Sequence, residues 1–139
     1  MDHELLLQAL EARKRSYAPY SHYCVGAALL CGDGKVYTGS NIENAAYSPS
    51  LCAERVAFAK AISDLGAAAL RPQAIAIVGA PEGQPCSSFC TPCGVCRQVM
   101  AEFCKPDFRI ISATTDASLN IIETKQYTLG ELLPESFSL

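Results

Sequence analysis

The residues of this chain best suited to chemistry fall in two short runs, Cys52-Ala53-Glu54-Arg55 and Pro92-Cys93-Gly94-Val95-Cys96. Three thiols shared between them, Cys52, Cys93 and Cys96, can fill three of the four tetrahedral positions of one zinc ion and leave the fourth open to water. Glu54, two residues from one of these ligands, can reach that water as a general base without ligating.

Three thiolates overcompensate the charge of a zinc ion and weaken it as a Lewis acid. The sequence offers two remedies. Cys52 and Cys93 both stand where helices are expected to begin, and helix N-termini bring partial positive charge and free N–H donors to sulfur. Arg55, one turn from Cys52, can donate to a thiolate; a surface salt bridge is its alternative role. Arg97 is open between the same role and a subunit contact.

A closed structural zinc site is the competing reading of the cysteines, because Cys90 could supply a fourth thiol and Cys86 stands close by. The same density admits an iron–sulfur centre. Neither explains a glutamate beside Cys52 or ligands at two separate helix starts, so an open, catalytic site is expected. Cys24, Cys31 and Cys104 lie in apolar contexts and read as small core residues.

The elements that must position these groups follow from apolar spacing and turn residues. Residues 3–16 have helical spacing (Leu6, Ala9, Leu10, Arg13), with Asp2 as N-cap. Residues 23–31 read as a buried strand, Gly32-Asp33-Gly34 as a turn, and residues 35–40 as the hairpin partner. Asn41 to Tyr47 form a loop, which on composition alone is a solvated turn but leads directly into the metal-bearing segment.

A helix is expected from Cys52 to about Leu65, with Val56, Ala59 and Ile62 along one face and Gly66 as its stop. Residues 74–79 read as a central strand, 80–91 as a loop and 93–104 as a second metal-bearing helix. Strands at 108–114 and 119–124 are joined too briefly for a parallel crossover and should pair antiparallel. A short helix from Thr128 to Leu133 ends at Pro134. The expectation is a single domain over residues 1–139, a three-layer α/β/α fold on a five-stranded mixed sheet.

Composition narrows the partners. Charged residues make up 18% of the 139, and the net charge is −3. Soluble domains usually carry roughly 25% charged residues, so hidden oligomer surface is one explanation. The one run of basic residues, Arg13-Lys14-Arg15, is too short to make the basic stripe that a nucleic acid would need. No apolar run is long enough to span a membrane, and the polar start Met1-Asp2-His3-Glu4 is unlike a signal peptide; the expected location is cytoplasmic. Eight cysteines in such a chain point to metal and packing, not to the disulfide framework of short secreted proteins.

The two cysteine runs carry the signature of the zinc deaminases. The wider chain resembles the small homotetrameric-type cytidine deaminases nearly end to end, through Tyr17-Ala18-Pro19-Tyr20-Ser21, Val25-Gly26-Ala27-Ala28-Leu29, Asn41-Ile42-Glu43-Asn44-Ala45, the two cysteine runs with Arg97-Gln98, and Glu131-Leu132-Leu133-Pro134. The Asn-Ile-Glu-Asn segment is the part that points to free nucleosides rather than polynucleotides.

That resemblance implies hydrolytic deamination of cytidine and deoxycytidine to uridine and deoxyuridine, with release of ammonia, in pyrimidine salvage. It implies one zinc per subunit on Cys52, Cys93 and Cys96, with Glu54 moving protons from water to N3 and to the amino group. Asn41 and Glu43 would hold the ribose hydroxyls. The Ala53 backbone would read the pyrimidine edge, and the Thr91 carbonyl would face the departing ammonia. Tyr23, where Phe is common, would stack near the base, with Val25 beside it. Ala45, Tyr47 and Phe137 match positions that reach neighbouring subunits' sites in a homotetramer.

The loop before Pro92 is longer than in many relatives and carries Cys86 and Cys90, and Thr91 stands where Ser is usual. Two rival readings remain: a deaminase of modified or antibiotic nucleosides, which the ordinary-ribose residues Asn41 and Glu43 disfavour, and a non-enzymatic zinc or redox module.

Overall fold

The computed structural model describes residues 1–139. Helix α1 (Asp2–Arg13) is followed by strands β1 (Tyr23–Cys31) and β2 (Val36–Ser40), then helix α2 (Ala53–Leu65) and a short 3-10 turn at Ala67–Ala69. Strand β3 (Pro72–Pro81), helix α3 (Gly94–Phe103), strands β4 (Arg109–Thr115) and β5 (Ile121–Thr128) and helix α4 (Leu129–Leu132) complete the chain. The five strands form one sheet in the order β2-β1-β3-β4-β5. Only β3 and β4 run parallel, and α3 is the crossover between them. Strands β4 and β5 pair antiparallel, as their short connection requires.

Alternation along β1 sends side chains to two cores. Ala28 and Leu30 meet Leu6 and Leu10 of α1 on one face. On the other, Ala27 and Leu29 join Phe58 of α2 and Met100 of α3. Phe58 stacks on Phe103 at 6.4 Å and meets the edge of Phe108 at 6.2 Å, tying α2 to α3 and to the start of β4. The three layers are therefore α1, the sheet, and α2 with α3. No helix is long and apolar enough to cross a membrane.

Two glycines bring the helices close to the sheet. A Cβ at Gly26 would lie 1.9 Å from the Ala9 carbonyl oxygen of α1, and one at Gly39 would lie 2.3 Å from that of Ala53 in α2. Any side chain at Gly39 would lift the first turn of α2, which carries Glu54.

Several elements differ from expectation. Met1, not Asp2, occupies the N-cap of α1; Asp2 lies in the first turn, and its carboxylate pairs with Arg109 at 3.0 Å. Strand β3 extends in both directions beyond 74–79, and β5 runs to Thr128, because the ladder with β4 continues to Arg109. The face of α2 that enters the core is Ala53, Glu54, Ala57, Phe58 and Ala61. Of the expected stripe only Ala59 is exposed; Val56 lies at the margin of that face over Gly39, and Ile62 is partly buried against the core, because Gly39 admits the small-residue face most closely. At α4, Thr128 and Glu131 form a reciprocal capping box, which starts a helix of only four residues.

Candidate active site

Helices α2 and α3 both follow strands of the same sheet, and their N-termini converge. Cys52 is the N-cap residue of α2 and Cys93 that of α3, both with extended backbone. Cys96 lies one turn into α3 and is buried. The Cys52 and Cys93 sulfurs are 3.8 Å apart, those of Cys93 and Cys96 are 3.4 Å apart, and all three lie within 4.8 Å of one another. Tetrahedral zinc with Zn–S bonds near 2.3 Å sets its sulfurs about 3.8 Å apart, so the donor set suits the ion in both kind and spacing.

Electrostatics agree with the geometry. Hydrogen bonding from the Cys96 thiol, then from Arg55 and Cys93, holds the Cys52 thiol well below its ordinary range, while the Cys96 thiol is pushed up by the same contact and by burial. One sulfur thus carries negative charge that its neighbours stabilise. Arg55 Nη2 lies 3.5 Å from Cys52 Sγ and 3.4 Å from the Ser50 carbonyl oxygen. Its Nε is buried with no partner. The cysteine cluster therefore sits beside a guanidinium with donor capacity to spare.

Glu54 follows in the first turn of α2 and is 4% exposed. Burial, opposed by a bond to its own backbone and reinforced by Cys52, raises its carboxyl to about 7. A carboxyl at that value can both take up and release a proton near neutrality.

The site opens into a cavity of about 1210 Å³. Its lining includes Cys52, Cys93, Glu54, Arg55 and Ala53, and also Tyr23, Val25, Asn41, Glu43, Ala45, Tyr47 and Thr91. Of the expected ligand, catalytic and substrate residues, Cys96, beneath the surface, and Phe137, on the C-terminal tail, stand outside it, as do Arg97 and Cys86. Tyr47 lines the cavity yet is 94% exposed, and Phe137 is 67% exposed. The Phe137 carbonyl accepts a bond from Gln98 Nε2 at 3.1 Å, which draws the tail back toward α3.

The polar loop after β2 is more than a solvated turn. Asn41 Oδ1 accepts from the Val25 N–H at 2.9 Å, and its Nδ2 donates to the Tyr23 carbonyl at 2.8 Å. The Glu43 carboxylate accepts from the N–H groups of Tyr20 and Ser21 and from the Ser21 hydroxyl. These bonds, the Ser21 hydroxyl foremost, hold Glu43 below the usual carboxylate range. Both side chains thus fasten the loop while facing the cavity.

Sequence reasoning did not find Arg13 and Ser112. Arg13 donates to the carbonyls of Cys24, Ala80, Pro81 and Gln84, clamping the ends of β1 and β3 and the turn beyond. The Ser112 hydroxyl, fully buried in β4, accepts from the Cys90 N–H at 2.9 Å and donates to the Ile77 carbonyl at 2.7 Å. No local pattern signals either, since both act across distant segments.

Arg97 binds neither a thiolate nor an ion partner. It donates to the carbonyls of Pro92 and Leu132, each at 2.7 Å, and so joins the metal-site turn to α4. Cys86 is buried in the α1-side core, its N–H donating to the Thr115 hydroxyl. Cys90 stands in the cavity wall and does not join the three-sulfur cluster.

The family model for the zinc-binding region of cytidine and deoxycytidylate deaminases matches residues 1–112. The chain belongs to that family. It is 48% identical over 135 residues to the cytidine deaminase of Sporosarcina psychrophila, covering 97% of this chain and 90% of that protein. It is 42% identical over 140 residues to the cytidine deaminase of Halalkalibacterium halodurans, covering 99% and 96%. Among solved structures, the cytidine deaminase of Burkholderia pseudomallei superposes with a TM-score of 0.78 at 39% identity, covering 99% of each chain. In this deaminase-family chain, the family's zinc-binding region and the Cys52, Cys93 and Cys96 cluster together fit one zinc ion per chain.

Proposed function

We propose that residues 1–139 form one catalytic unit that hydrolyses the exocyclic amino group of cytidine and deoxycytidine, yielding the uridine nucleosides and ammonia. The observation that carries this reading is Glu54, buried at the cavity floor beside the three-thiol cluster. When bound, zinc supplies Lewis-acid chemistry at that place.

The chain's own groups do the rest. Glu54 takes a proton from the attacking water as oxygen bonds to C4, and passes a proton to N3. It then takes the second proton from the new C4 hydroxyl and passes it to the amino nitrogen; the C4–N bond breaks as the C4 carbonyl forms, and ammonia leaves past the Thr91 carbonyl. The Ala53 backbone reads the pyrimidine edge. Asn41 and Glu43, held by their bonds to residues 20–25, meet the sugar hydroxyls, and Tyr23 and Val25 form the apolar wall against the base.

The charge of the cavity supports a nucleoside over a nucleotide. Its lining has two carboxylates, Glu43 and Glu54, against one guanidinium, Arg55, which is engaged with Cys52 and the Ser50 carbonyl. A phosphate would meet no cation there other than Arg55, whose Nη2 is committed to Cys52 and Ser50 and whose unpartnered Nε is buried. The substrate class suits a cytoplasmic salvage enzyme.

The working form in this proposal is a homotetramer with sites shared between chains. Support comes from the exposed aromatic side chains of Tyr47 and Phe137, apolar surface that a second chain would cover. The test of the reaction is ammonia release from a panel of cytidine, deoxycytidine, cytosine and deoxycytidine monophosphate. Turnover of the two nucleosides, with the base and the nucleotide poor, is the expected result. Equal turnover of cytosine would remove the sugar loop from the account.

A further inference from the structure

Gly79 lies in β3 opposite Val25 of β1, buried beneath the apolar wall of the cavity. A Cβ placed there would lie 3.0 Å from Cys90 Sγ, 3.1 Å from Tyr23 Cε1 and 3.2 Å from Val25 Cγ2. Those three side chains line the cavity; Gly79 does not. One missing methyl group therefore makes room for all three, and each contact is short enough that a neighbour would have to give.

The backbones around this point have little freedom to retreat. The Cys90 N–H is fixed to Ser112 Oγ, which is itself fixed to the Ile77 carbonyl. Tyr23 is held at both ends, its N–H donating to Ser21 Oγ at 3.0 Å and its carbonyl accepting from Asn41. Added bulk at position 79 would be relieved by side-chain movement, and the open direction for the Tyr23 ring and the Cys90 thiol is the cavity. Burial pushes the Cys90 thiol up to about 12, so it packs as a neutral group of small volume.

We propose that Gly79 and Cys90 are matched in size and together set the position of the Tyr23 ring, making them positioning residues for the base. The proposal rests on the nucleoside-deamination reading. It gives Cys90, outside the metal cluster, a function: it fills the space that Gly79 leaves and backs the aromatic wall.

The test uses zinc-loaded full-length protein. Gly79→Ala should raise KM for cytidine about five- to tenfold while kcat stays within about twofold, the pattern of a displaced binding wall. Gly79→Ala/Cys90→Ala should bring KM back toward the wild-type value, because the second change restores the room taken by the first. Cys90→Leu, pressing on the same space from the loop side, should raise KM as Gly79→Ala does and keeps the test decisive if the alanine variant fails to fold. Peptide-level mass spectrometry after iodoacetamide treatment should show faster labelling of Cys90 in Gly79→Ala, as the thiol moves toward the cavity.

Unchanged KM in both Gly79→Ala and Cys90→Leu, or a KM for Gly79→Ala/Cys90→Ala no lower than that of Gly79→Ala, would overturn the proposal. Absence of ammonia release by the wild type would overturn the deamination reading instead. Cys90 labelling would then decide the pair alone, with equal rates in wild type and Gly79→Ala refuting it.

Discussion

The Arg55 guanidinium lies one helical turn beyond Cys52 and 3.5 Å from its sulfur, so the cation and the metal-site thiolate are carried on the same first turn of α2. A cation at that distance withdraws negative charge from the sulfur and offsets the excess of three thiolates on zinc. Arg55→Gln should therefore retain zinc at neutral pH while kcat falls about 10- to 100-fold. Metal analysis beside steady-state kinetics checks it; loss of zinc in step with activity would make Arg55 a contributor to metal affinity rather than to reactivity.

Glu54→Gln preserves shape and burial but removes the base. Because the carboxylate serves at several proton transfers, turnover should fall beyond the roughly 10²- to 10⁴-fold of a single general base, with zinc content unchanged. Near-normal activity in a zinc-loaded variant would end the assignment.

The ligand set is tested by metal content alone. Cys52→Ala should lose zinc, since one of three protein ligands is gone, whereas Cys90→Ala should keep it, since its thiol stands outside the cluster. The reverse pattern would restore the closed-site reading.

The sugar loop predicts a linked loss of stability and binding. Asn41→Ala leaves the Val25 N–H and the Tyr23 carbonyl without their partner and should cost about 1 kcal/mol of stability together with a higher KM. Glu43 has a depressed value in the folded chain, so its contribution is present above the ordinary glutamate range and is lost as pH falls through the folded value. The melting temperature of Glu43→Gln should lie below that of the wild type at neutral pH, and the difference should shrink on acidification. A gap that stays constant down to strongly acid pH would show that the Tyr20 and Ser21 bonds to Glu43 do not depend on its charge.

Shared sites predict complementation between two defective chains. Phe137→Ala should lower activity with zinc unchanged. Mixing it with Glu54→Gln protein after dissociation and reassembly should restore part of the activity, because a hybrid can pair an intact Glu54 with an intact Phe137. Sedimentation of an active monomer at micromolar concentration would refute the arrangement.

The metal site was legible in the sequence because its parts are local. Cys52 with Glu54 and Arg55, and Cys93 with Cys96, are fixed in relation by one turn of helix, and Gly66 marks where α2 stops. The sheet was legible as well, since the near-continuous apolar run of β1, buried on both faces, and the short link between β4 and β5 mark a central strand and an antiparallel pair without reference to distant residues. The inward face of α2 was not. The stripe Val56, Ala59 and Ile62 lies at its margin, with Ala59 exposed, while the helix turns Ala53, Ala57 and Ala61 toward the strands and Phe58 into the core, because close approach over Gly39 leaves room only for small groups in the first turn.

Tertiary structure alone decided what the remaining polar residues do. Arg97 could have reached a thiolate on sequence position, yet its nearest acceptors are the carbonyls of Pro92 and Leu132, brought together only when α4 packs beside α3. Asn41 and Glu43 gained fixed partners from β1 and residues 20–21, and Cys90, on the loop before α3, met Gly79 of β3. A helical turn sets the spacing of neighbours in the chain, whereas hydrogen bonds and packing between segments many residues apart exist only after the sheet has brought those segments into register.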